Sequence, residues 1–124
     1  MDNTSLDEKI IFTIYKYYDD FKKFMLSEQL PEIEIKRLLE NNVYAKLNHN
    51  DLIKGKYILN INTDLFKYNE KFIKSILFHE FTHIHDFYLI HSNFTNEETL
   101  NLMTSYSEYN ASRIELISQF GIDN

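Results

Sequence analysis

From Asn69 to Phe120 the chain carries two long runs in which apolar residues recur every three or four positions, parted only by HSNFT. That spacing gathers the apolar side chains of each run on one helical face. So short a break folds two such helices back as an antiparallel hairpin. In the first run Asn69 can cap a helix, Glu70 suits its first turn, and Phe72, Ile73, Ile76, Leu77, Phe81, Ile84 and Tyr88 carry it to about Ile90. Thr95-Asn96-Glu97-Glu98 has the form of a capping box opening the second run, which extends to Phe120 with Gly121 as its stop.

The other half is more mixed. Leu6 to about Met25 reads as an amphipathic helix, with Ile10, Ile14, Tyr17, Tyr18, Phe21 and Phe24 among its inward residues. Pro31 suits the first turn of a shorter helix reaching about Glu40, with Ile33, Leu38 and Leu39 inward and Asn41-Asn42 as its stop. VYAKLN and KYILNIN, separated by HNDLIKG, read as a β-hairpin in which Tyr57, Leu59 and Ile61 share one face. The expected fold class is therefore α+β: mainly helical, with a small β-hairpin or sheet packed beside the first long helix. At 124 residues, with no repeat or linker, residues 1–124 make one domain.

Composition narrows what such a domain can do. With 13 Lys and Arg against 19 Asp and Glu, the net charge of -6 leaves no basic stripe for a phosphate backbone, so no nucleic acid is expected as a partner. Cysteine is absent, which removes disulfides, thiolate nucleophiles and Cys-rich zinc sites. MDNTSLDEKI lacks the basic and apolar regions of a signal peptide, and no later run reaches membrane-spanning length, so the expectation is a cytoplasmic protein with no membrane partner. Oligomeric state is not legible from these features.

The chemistry concentrates in FHEFTHIHD, residues 78–86, inside the first long helix. His79 and His83 are four apart, so both imidazoles project from one face and can reach a single cation. Glu80 lies beside them, where a carboxylate can take a proton from an activated water rather than bind the metal. The same three residues also suit a plain polar cluster on a helix, and a third ligand separates the two readings. A hairpin folding midway between 93 and 94 puts Glu108 level with His79, Glu97 and Glu98 beyond His83, and Glu115 opposite position 72. Ala111 and Ser112, on the same face as Glu108, would let the helices approach closely. The ligand set read in this way is His79, His83 and Glu108. Asp86 can support a ligand or pair with Arg113. His85 projects away as a bystander, and Tyr106 and Tyr109 stand near Glu108 as candidate oxyanion donors.

His79-Glu80-Phe81-Thr82-His83 followed by Glu108 in SEYNASR resembles the gluzincins, zinc metallopeptidases whose third ligand is a downstream glutamate. Asp86 and Leu89 stand where the metzincin pattern needs glycine and histidine, which excludes that class. Over about residues 55–120, and specifically at the motif and the Glu108-Tyr109-Asn110-Ala111 helix, the chain is similar to ImmA/IrrE-type metallopeptidases. Thr82 departs from the glycine common before the second histidine. The resemblance implies a zincin-like fold, Zn2+ held by His79, His83 and Glu108, and catalysis by Glu80. It further implies hydrolysis of a peptide bond by attack of zinc-activated water on a protein or peptide substrate, such as a repressor-type regulator. KYILNIN would be the active-site strand, its free edge holding the substrate. The alternative is a zincin-fold binding module, antirepressor-like, without turnover.

Overall fold

A computed structural model describes residues 6–26, 30–93 and 97–120, with side chains described over 6–26, 30–89 and 106–117. The elements run α1 (Glu8–Phe24), β1 (Glu34–Arg37), β2 (Ala45–Leu47), α2 (His49–Ile53), β3 (Ile58–Ile61), α3 (Glu70–Asn93) and α4 (Glu97–Phe120). The three strands form one sheet in the order β1-β3-β2, with β1 parallel and β2 antiparallel to β3. The mixed α and β composition matches the expected class.

α3 is the spine. It packs against α1, α2, β2 and α4, so its buried residues, Ile73, Leu77, Phe78, Phe81, Ile84 and Phe87, lie on more than one face. The core joins α1 to α3 through aromatic rings: Phe21 meets Phe78 edge-on at 5.3 Å and Phe81 at 5.6 Å, and Tyr18 lies 4.9 Å from Phe81. Burying each such side chain contributes about 1.5–3 kcal/mol. Tyr18 can be buried because its hydroxyl donates to Pro31 O at 2.7 Å. Local signals set the helix starts: the Asn69 side chain accepts from Phe72 N as expected, and the Asp7 side chain, not singled out in the sequence, accepts from Lys9 N to cap α1. The capping box expected at Thr95 and the stop at Gly121 fall outside the described residues.

Three expectations are corrected. Pro31 to Glu40 is not a helix: Glu34–Arg37 forms strand β1, and Leu39 is 65% exposed rather than inward. PEIEIKR alternates as well as it repeats, and pairing with β3 exploits the period of two, burying Ile33 and half-burying Ile35 while Glu34 and Lys36 face outward. A turn does lie at Asn41-Asn42, where Asn42 takes φ 66, a left-handed conformation that asparagine tolerates.

The second correction concerns the expected hairpin. Its strands pair with Ala45 opposite Ile61 and Leu47 opposite Leu59, but the link between them is α2 rather than a tight turn. Asn48 caps α2 by accepting from Asn50 N and Asp51 N, and Gly55 at φ 79 takes the chain out of it. The third is that KYILNIN, which forms β3, has no free edge. It is the central strand, and the strand bordering the polar face of α3 is β2.

Candidate metal centre

α3 presents His79 and His83 one turn apart, their rings 5.0 Å between centroids. From α4, Glu108 spans the pair: Oε1 lies 3.0 Å from His79 Nε2 and Oε2 lies 3.3 Å from His83 Nε2. One ligand atom from each of the three residues falls within 4.8 Å of the others. Tetrahedral donors at zinc-like bond lengths stand about 3.3–3.4 Å apart, and the three side chains lie close enough to hold a shared cation. The sequence-derived trio is thus brought together.

The outward-turned nitrogens are engaged as well. His79 Nδ1 lies 2.7 Å from Glu115 Oε1, close to the carboxylate but without the alignment of a hydrogen bond. His83 Nδ1 lies 3.0 Å from Ser107 Oγ, which donates at 2.9 Å to Asp86 Oδ2. Asp86, buried, also accepts from Asn110 Nδ2 at 3.2 and 3.3 Å and meets His85 Nδ1 at 3.1 Å. Arg113 donates to Asn110 Oδ1 at 3.0 Å, so it reaches Asp86 only through that amide. Such partners fix ring orientation and tautomer, leaving both Nε2 atoms turned toward Glu108.

Ser107, Asn110 and Glu115 were not singled out from the sequence, and Glu115 was placed too far off. Two physical effects account for this. α3 runs to Asn93 rather than about Ile90, with α4 beginning at Glu97, which moves the fold point along the chain. Side chains on both helices also lean toward their own N-termini, so antiparallel partners meet further along α4 than Cα levels suggest. Close approach comes from Ala111 and Ser107, both fully buried, and not from Ser112, which is exposed. The legible signal was the three-residue spacing of Ser107 and Asn110, matching that of His83 and Asp86.

The electrostatics follow from burial and crowding. Burial first, then the charges of Glu108 and Glu115, push the Glu80 carboxyl up to about 8. Burial also lowers His83 below the usual histidine value, although Glu108 opposes it. A neutral imidazole is the form that ligates a metal, and a crowd of carboxylates is relieved by a cation among them. Donor set, spacing and charge all fit a bound divalent metal.

A cavity of ≈ 340 Å³ opens over this centre. His79, Glu80, His83 and Glu108 line it together with the apolar Leu47, Leu52 and Phe87 and the polar Lys46 and His49. Tyr106 and Tyr109, the expected oxyanion donors, are 56% and 71% exposed and do not line it. His49, standing edge-on to Phe87 at 6.0 Å, is the polar ring the sequence reading missed. Its position depends on β2 and α2 folding over α3, which no local pattern announces. Among the described residues no helix is long and apolar enough to cross a membrane. Comparison with protein-family models, characterised proteins and solved structures finds no match.

Proposed function

We propose that this chain is a zinc-dependent peptidase with a zincin-like fold, in which His79, His83 and Glu108 hold the metal and Glu80 is the general base. The observation that carries the reading is the convergence of both Nε2 atoms on Glu108, with Glu115 beside His79 Nδ1 and Ser107 bonded to His83 Nδ1, at a cavity that Glu80 also lines. Two histidines and a glutamate with an open fourth position are the donor set of catalytic zinc, and a chain without cysteine has no thiolate alternative.

Zinc bound there supplies a Lewis acid that makes water acidic near neutral pH. Glu80 accepts the proton from the attacking water and returns it to the leaving amine. Without a cation nearby, burial and the charges of Glu108 and Glu115 would keep Glu80 protonated at pH 7, and a neighbouring cation offsets both effects. Substrate backbone is held along the outer edge of β2, whose Ala45, Lys46 and Leu47 border the cavity. This moves the substrate edge from β3, where the resemblance to ImmA/IrrE-type enzymes had put it. A repressor-type regulator in the cytoplasm remains the substrate class that resemblance suggests.

Elemental analysis and a peptide-cleavage assay on Glu80→Gln test the reading together. The parent is expected to carry about one equivalent of zinc. The variant should keep the metal while hydrolysis falls by about 10²–10⁴-fold. Zinc far below one equivalent removes the metal centre. A metal-loaded parent that cleaves nothing, and whose partner binding survives Glu80→Gln, makes the chain a binding module instead.

A further inference from the structure

The sheet has a second edge, remote from the metal centre in strand order. Glu34 N donates to Tyr57 O at 2.9 Å and Leu38 N to Ile61 O at 2.8 Å, so the even-numbered residues of β1 bond to β3. Alternation along the strand therefore turns the N–H and C=O of Ile35 and Arg37 away from the sheet. Ile33 points its carbonyl the same way, where the Tyr15 hydroxyl donates to it at 2.9 Å. Beyond Tyr15 a hollow of ≈ 460 Å³ opens between α1 and β1, lined by Ile11, Tyr15 and residues 32–35. Phe12 and Tyr15, on α1, are 73% and 41% exposed beside it.

We propose that this edge pairs with the same edge of a second copy, β1 antiparallel to β1 about a two-fold axis through Ile35, continuing the sheet across the dimer. The sequence of the strand selects both partner and register. With Ile35 opposite its own copy, its outward N–H and C=O form a reciprocal pair of hydrogen bonds. Glu34 then stands opposite Lys36 of the second copy, and Lys36 opposite its Glu34, all four on the exposed face as close non-hydrogen-bonded neighbours. Slipping by two residues in either direction sets Lys36 against Lys36 or Glu34 against Glu34, so only one register is free of like-charge contact. On the inner face the two Ile35 side chains meet over the hollow, covering Ile11. An edge meant only to repel neighbours would carry like charges rather than a self-complementary pair.

A four-residue strand pair with one helix flank is a small interface, so the dimer is weak and concentration-dependent. Sedimentation velocity on the full chain over about 10 µM to 1 mM reads it directly. The parent is expected to dimerise within that range. Lys36→Glu and Glu34→Lys should each weaken the dimer by about tenfold or more, because two attractive contacts become repulsive. The exchange Glu34→Lys with Lys36→Glu in one chain should restore the parental constant. These side chains are exposed, so folding is not at stake, and circular dichroism verifies it. A parent that stays monomeric to 1 mM overturns the proposal. So does a dimer indifferent to the single changes, or one that the exchange does not restore, since the copies would then meet elsewhere.

Discussion

Ser107→Ala tests how the candidate metal centre is held. The Ser107 hydroxyl is fully buried and joins His83 to Asp86, accepting from His83 Nδ1 at 3.0 Å and donating to Asp86 Oδ2 at 2.9 Å. Alanine removes both contacts. His83 Nδ1 loses its partner, and Asp86 retains only Asn110 and His85. Leaving a buried polar group unmatched costs about 1–3 kcal/mol. Because the amide of Asn110 still serves Asp86, the lower half of that range applies to the carboxylate and the full range to the imidazole. The sum is about 2–5 kcal/mol of stability. Part of it appears as freedom of the His83 ring, which is expected to weaken zinc binding by about 10–100-fold. Chelator competition measures the affinity, and thermal unfolding of metal-free protein measures the stability. An alanine variant binding zinc within twofold of the parent would refute the idea that Ser107 positions His83.

Metal-free protein should lose stability as pH rises from 7 to 8. Folded Glu80, pushed up to about 8, still holds its proton where the unfolded residue, at 4.5, has lost it, so the folded state binds the extra proton and stability falls with pH. The loss over that unit is about 1 kcal/mol, measurable by urea denaturation with chelator present, and Glu80→Gln should abolish it. His83 acts in the opposite direction and below this window: its lowered value means stability is lost as pH falls through 6.5. Glu115→Gln keeps a polar group 2.7 Å from His79 Nδ1 but removes the charge. Zinc affinity by competition should fall by about tenfold, and equal affinity would reduce Glu115 to a bystander.

Several features were written locally. His79 and His83 share a face because four residues is close to one helical turn, and α3 begins where Asn69 can accept from Phe72 N. The approach of Glu108 to His79 and His83 was legible from two helices and a short break between them, whereas that of Glu115 to His79, about two turns from its expected level, was not. The pairing of β2 with β3 followed from two short β-prone runs.

What the sequence by itself determined, then, are the quantities set by bonds within one element: periodicity, caps, and the spacing of His79, Glu80 and His83. Tertiary structure alone decided how elements meet. It gave PEIEIKR, which suits either period, to a strand, because the edge of β3 offered hydrogen bonds that a short helix would not have had. It made β3 central and β2 the border of the cavity, since strand order is not encoded in any strand. It brought Ser107 to His83, Asn110 rather than Arg113 to Asp86, and Glu115 to His79, because side-chain lean and the relative level of two helices accumulate over tens of residues. The chemistry of the centre is therefore local, while its support and its walls arise where distant segments pack.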